Sequence, residues 1–235
     1  MTIMTNMFDS IVMTDVFAHR IVEAWGDNVV KVVEDFTLTP IGTDTISGYT
    51  VTLVEAGSGE STLTMADATG GELLLTTDNA ENDGLNIQKL GETFRVDNNS
   101  FYFGARLKIS DATQSDFFIG LAETATDILG SAPKRIGFQK ADESTQVSFV
   151  SKKTNTTQVT GIHTAVANTY MVLEILYNKT TGQLKFYVNG SNEYSAPITD
   201  LPDGELRLSL QFLTGSANIR TCSVDWIRAF QFGRA

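Results

Sequence analysis

From Tyr49 onward, nonpolar and polar side chains alternate with a period close to two, the spacing at which successive residues of an extended chain face opposite ways. The sharpest case is Phe101-Tyr102-Phe103-Gly104-Ala105-Arg106-Leu107-Lys108-Ile109. Here Phe101, Phe103, Ala105, Leu107 and Ile109 share one face, and Tyr102, Gly104, Arg106 and Lys108 the other. A polar turn over 111–116 leads into Phe117-Phe118-Ile119-Gly120-Leu121, apolar enough to sit centrally in a sheet. Further strands are predicted at 49–55, 61–65, 72–77, 135–139, 146–150 and 156–159. The segment 170–177, the turn Asn178-Lys179-Thr180-Thr181-Gly182 and the segment 183–190 read as a hairpin that places Leu184, Phe186 and Val188 inside. Strands over 205–212 and 221–230 bring the count to roughly a dozen, which one open sheet cannot bury on both sides. The fold class expected is all-β, an antiparallel β-sandwich.

Residues 1–48 break this rhythm. Ile11, Val12, Val16, Phe17, Ile21 and Trp25 recur at spacings that suit an amphipathic helix over 10–24, with Gly26 as its stop. The neighbouring Val29-Val30-Lys31-Val32-Val33 is β-branched and predicts a strand over 29–38, before Pro40 and Gly42 turn the chain. The expected division is an N-terminal arm or short helix with a first strand, 1–48, and a sandwich domain, 49–235. Phe8, Val12, Val16, Phe17, Ile21 and Trp25 are too apolar to stay wet and are the candidate interface.

A net charge of −11 would repel a phosphate backbone, so no direct nucleic-acid partner is expected. No apolar stretch of about 20 residues occurs, so no membrane span is expected, and the first nine residues lack the pattern of a secretory signal. Cys222 is the only cysteine, which excludes an intrachain disulfide, and its place in an alternating segment predicts a core position.

Over about residues 60–235 the chain resembles the concanavalin/laminin-G-like jelly-roll superfamily. The features that carry the resemblance are 101–109, its return at 117–121, Thr181-Gly182-Gln183-Leu184-Lys185-Phe186-Tyr187-Val188-Asn189-Gly190, and Trp226-Ile227-Arg228-Ala229-Phe230. The resemblance implies a concanavalin-like jelly roll, a shape used by lectins, glycan-cleaving enzymes and virion structural proteins. The Thr/Ala/Asp/Asn-rich composition and the N-terminal arm are similar to tailed-phage particle proteins. That likeness implies a non-enzymatic capsid decoration subunit of the virion. Capsid or other virion proteins would be its partners, and it would form a homo-oligomer with a trimer favoured. The alternative is a lectin-like carbohydrate-binding module, with Tyr102, Tyr187, Tyr194 and Trp226 as sugar-facing aromatics and calcium as an optional cation.

The superfamily's hydrolases carry a Glu-x-Asp-x-Glu or Glu-x-Asp-x-x-Glu strand, and this chain has neither, so no catalytic residues are assigned. Glu174 and Asp225 are the nearest acidic strand residues and read as outer-face or rim positions. His19 and His163, the latter in a predicted loop, lack a spaced metal-ligating partner. In Asp78-Asn79-Ala80-Glu81-Asn82-Asp83-Gly84, Asp78, Asn82 and Asp83 are candidate metal ligands of the oxygen type calcium prefers, although the run is not an EF-hand loop. No cofactor other than calcium is expected, and no glycine-rich nucleotide loop is present.

Overall fold

The computed structural model describes residues 2–7, 10–15, 20–25, 28–37, 41–42, 45–55, 59–66, 70–190, 192–197 and 200–233. For 2–25, Ile41 and 192–197 only the backbone is described.

The chain opens with β1 (Thr2–Met7), β2 (Ser10–Asp15) and β3 (Arg20–Trp25), which pair in that order as a separate antiparallel sheet. The helix expected over 10–24 is therefore corrected: 10–15 and 20–25 are strands. The Ile and Val positions that fit a helical stripe fit two short β-branched strands equally well. Of the predicted interface residues, Val12, Ile21 and Trp25 lie on β2 and β3. Phe8, Val16 and Phe17 lie outside the described residues.

Next come β4 (Val29–Glu34), the two-residue pair β5 (Ile41–Gly42) and β6 (Thr45–Ile46), β7 (Tyr49–Val54), β8 (Thr62–Met65), β9 (Leu73–Thr76) and β10 (Gly84–Lys89). They are followed by β11 (Ser100–Ile109), β12 (Ser115–Ala122), the single-turn α1 (Ile128–Ser131), β13 (Arg135–Lys140), β14 (Gln146–Lys152) and β15 (Thr156–Thr164). The last are β16 (Met171–Asn178), β17 (Gln183–Val188), β18 (Asn192–Pro197), β19 (Arg207–Thr214) and β20 (Thr221–Phe232).

Two antiparallel sheets form the sandwich. One runs β15-β14-β13-β12-β19-β10-β7, and the other β18-β17-β16-β11-β20-β9-β8, with β4 also paired to β20. This is the all-β jelly roll expected. Between the sheets lie the alternate residues read from the sequence: Phe101, Phe103, Ala105, Leu107 and Ile109 of β11, Leu184, Phe186 and Val188 of β17, and Leu208, Leu210 and Phe212 of β19. Burying each such side chain contributes on the order of 2 kcal/mol, so the two facing stripes suffice to hold the sheets together. Cys222 is in this core, as expected, and burial pushes its thiol well above the usual range.

Because the inward positions are filled, each sheet's other face is the one left for function. β10 was not legible in the sequence. It contributes Leu85 and Ile87 to the core and turns Asn86 and Gln88 outward.

Candidate functional site

The outer face of the eight-stranded sheet collects most of the predicted aromatics. Register sets Tyr187, Glu174, Gly104 and Arg228 side by side across β17, β16, β11 and β20. A Cβ at Gly104 would stand 2.4 Å from the Tyr102 Oη and 3.3 Å from the Trp226 ring, so the glycine makes the space in which these two side chains meet. Tyr102 donates to Glu174 Oε1 at 2.7 Å, and its ring stacks on Phe230 with centroids 5.7 Å apart. It is only 4% exposed, so neither its face nor its hydroxyl is offered to a sugar. Trp226 is half-buried, with the Arg228 guanidinium 4.7 Å from its ring centroid. Tyr187 is half-buried as well, while Tyr194 lies opposite Phe186 on β18, where the backbone alone is described.

Charges on this face are internally matched. Arg106 pairs with Asp225 and lies 3.8 Å from the Tyr170 ring centroid. Lys108 pairs with Glu72 at 3.2 Å, and Tyr170 Oη donates to the same carboxylate at 2.5 Å. Burial alone would raise the Glu72 pKa, but hydrogen bonds from Ser223, Tyr170 and Lys108 hold it below its usual range. Asp225 and Glu174 are thus engaged with protein partners.

The outer face of the seven-stranded sheet has a different chemistry. One row runs Gln88, Ser209, Gly120, Gly137, Val150, Gln158, and the next Asn86, Gln211, Phe118, Gln139, Ser148. Over its middle lies the segment from Glu123 to α1, seated on Phe118, Ala122 and Val150 through Ile128. Its backbone is held by side chains of the sheet. Asn86 Nδ2 donates to the Ala125 carbonyl at 2.6 Å, and Gln88 Oε1 accepts from the Ala125 N–H at 3.0 Å. Gln211 Oε1 accepts from the N–H groups of Ile128 and Leu129 at 2.6 and 2.9 Å, while its Nε2 donates to Asp127 at 2.8 Å. Arg135 donates to the Ile128 carbonyl and, at 2.9 Å, to Gln139 Oε1.

Beside this covered strip the sheet opens into a groove of about 320 Å³ lined by Gln139, Ala141, Ser144, Gln146, Ser148, Gln158 and Thr160. A bulge creates it. Val147 pairs with His163 and Phe149 with Val159, so β15 carries two more residues than β14 across this stretch, and Gly161 takes a φ of +66° to make the bend. His163 is therefore a strand residue and not in a loop, with its pKa lowered by burial.

A second cavity, of about 340 Å³, is lined by Asn82, Asp116, Asp127 and Asp142 among others. Burial pushes Asp116 up to about 6, and the Asp142 N–H donates to its Oδ1 at 2.5 Å. Of the residues predicted to hold calcium, Asn82 lines this cavity, Asp78 packs its carboxylate against Gly59, and Asp83 is fully buried. Among the described residues no group of three or more His, Cys, Asp or Glu is arranged to hold a metal ion.

Comparison by sequence finds no matching family model and no matching curated protein. The fold, by contrast, is shared with solved structures. A protein of unknown function from Shewanella oneidensis MR-1 superposes with a TM-score of 0.61 at 14% identity, covering 89% of this chain and 90% of that one. An endo-1,3-beta-glucanase from Streptomyces sioyaensis gives 0.60 at 10% identity over 90% and 99% of the two chains. The Bacillus licheniformis beta-glucanase gives 0.56 at 14% identity over 85% and 97%. At these identities the likeness establishes the concanavalin-like jelly roll and nothing finer.

Proposed function

We propose that this chain binds glycans without cleaving them. The fold is shared with beta-glucanases, and the observation that carries the reading is that the outer face of this chain's own seven-stranded sheet presents amides and hydroxyls, whereas cleaving a glycosidic bond takes a pair of carboxyl groups. A strand that delivers two or three carboxyl groups to one face must place them at alternate positions. On β13 the outward residues are Arg135, Gly137 and Gln139, and Arg135 is engaged in holding α1 and Gln139. Among the described strands of the sandwich, none turns two carboxylates outward on alternate residues. Asparagine, glutamine and serine side chains donate and accept hydrogen bonds without charge, which suits the hydroxyl groups of a saccharide.

A glycan array with the full chain, run with and without chelator, tests this reading. Saturable binding to neutral glycans in both conditions is the expected result, and absence of binding to every glycan sinks it. The capsid-decoration role implied by composition draws its support from that likeness alone. The proposal of a homo-oligomer rests on the apolar residues Phe8, Val12, Val16, Phe17, Ile21 and Trp25, and solution mass before and after removal of residues 1–28 tests it.

A further inference from the structure

We infer that the groove at the β14–β15 bulge is a binding site for an uncharged saccharide, and it is on the proposal of glycan binding that this inference rests. The bulge is the first observation. Two extra residues on β15 bow the edge strand outward opposite Ser148, and bulges of this kind re-aim side chains beside sites. The second is the state of the groups around the resulting space. Ser148 is 6% exposed and lines the groove, and among the described residues its hydroxyl has no hydrogen-bond partner. Gln139 Oε1 is occupied by Arg135, which leaves its Nε2 as a donor toward the groove. Gln146 Nε2 donates to Thr164 at 3.1 Å, which fixes its amide and leaves Oε1 as an acceptor, 3.0 Å from where a Cβ on Gly161 would stand. Gln158 and Thr160 close the outer wall on the exposed edge strand.

The third observation is charge. In a chain of net charge −11, none of the seven residues lining this groove is ionisable. An ionic ligand would find no counter-charge there, whereas a dense set of hydroxyl groups meets donors and acceptors on three sides. At about 320 Å³ the space is at the small end of ligand pockets, suited to one or two sugar rings at the end of a chain and not to a polymer lying across the whole sheet.

Calorimetric titration of the full-length protein with laminarihexaose, cellohexaose and, as a charged comparison, hexagalacturonate tests the assignment. The double variant Gln158→Ala with Thr160→Val changes two exposed side chains, and Ser148→Leu fills the groove from its floor. Trp226→Ala alters the opposite sheet. The double variant is expected to weaken neutral-sugar binding roughly tenfold, as two lost hydrogen bonds would. Ser148→Leu should abolish binding at an unchanged circular-dichroism spectrum, Trp226→Ala should leave it intact, and hexagalacturonate should not bind. If the wild type binds a neutral hexasaccharide but only Trp226→Ala reduces it, glycan binding stands and the groove assignment is overturned. Tighter binding of the charged sugar also overturns the assignment. Failure of the wild type to bind any sugar removes the function and the groove together.

Discussion

Gly120 and Gly137 face each other across β12 and β13 so closely that a Cβ on either would lie 2.3 Å from a carbonyl oxygen of the opposite strand. The pair lies at the centre of the seven-stranded sheet, and both strands are fully paired on their other edges. A methyl group there has no flexible neighbour to displace, only backbone. Gly120→Ala and Gly137→Ala are each expected to cost about 1–3 kcal/mol of stability, read as a lower urea midpoint at unchanged slope. Thr93→Ala, at an exposed position outside the named strands, should stay within about 0.5 kcal/mol of wild type.

Asp116 supplies a pH dependence of unusual sign for a carboxylate. Burial raises its folded-state pKa to about 6 from 3.8, so between those values the folded protein holds more protons than the unfolded chain. This group therefore destabilises above pH 6, and the penalty is relieved as pH falls toward 4. Asp116→Asn keeps an oxygen for the Asp142 N–H. It is expected to raise stability at pH 7.5 by on the order of 2 kcal/mol and to be near neutral at pH 4. Chemical unfolding at the two pH values separates these outcomes.

Gln211 bears on how the seven-stranded face is covered. Its side chain meets two backbone N–H groups and the Asp127 carboxylate at once, so Gln211→Ala leaves the first turn of α1 without its anchor. A loss of about 1–3 kcal/mol is expected, with faster amide exchange concentrated at Ile128 and Leu129. Uniformly faster exchange across the sandwich would show that the segment is part of the global core instead.

Cys222 is fully buried between the sheets, and burial holds its thiol protonated at neutral pH. It is expected to stay unmodified by a thiol reagent in the native protein and to react at the rate of global unfolding when denaturant is added.

The sandwich was legible because its inward stripes obey a two-residue period that no helix shares. β11, β12, β16, β17, β19 and β20 fall close to where that period places them. β10 escaped because Leu85 and Ile87 are only two inward residues, set in a run of polar ones that reads as a turn. The N-terminal region misled because Ile and Val at spacings of three and four serve a helix or two hairpin strands alike. Tyr102 could be placed on an outward face, but not its stacking on Phe230, which depends on the pairing of β11 with β20. Trp226 shares the parity of the core residues Cys222 and Val224, and only the register shift opposite Arg106 and Leu107 puts it on the other face. The groove had no local signature at all. It arises from a register slip between β14 and β15, and the segment beside it is held by Asn86, Gln88 and Gln211, between 35 and 84 positions away along the chain.

The direct test of the central claim is to hold the purified chain with laminarihexaose overnight and follow the sugar in two ways, its binding by saturation-transfer NMR and its length by mass spectrometry. Saturation transfer to a hexasaccharide that remains six units long is the predicted result. Fragments of two to four sugar units would show that this fold cleaves its ligand here, and the absence of any transfer would show that it does not hold it.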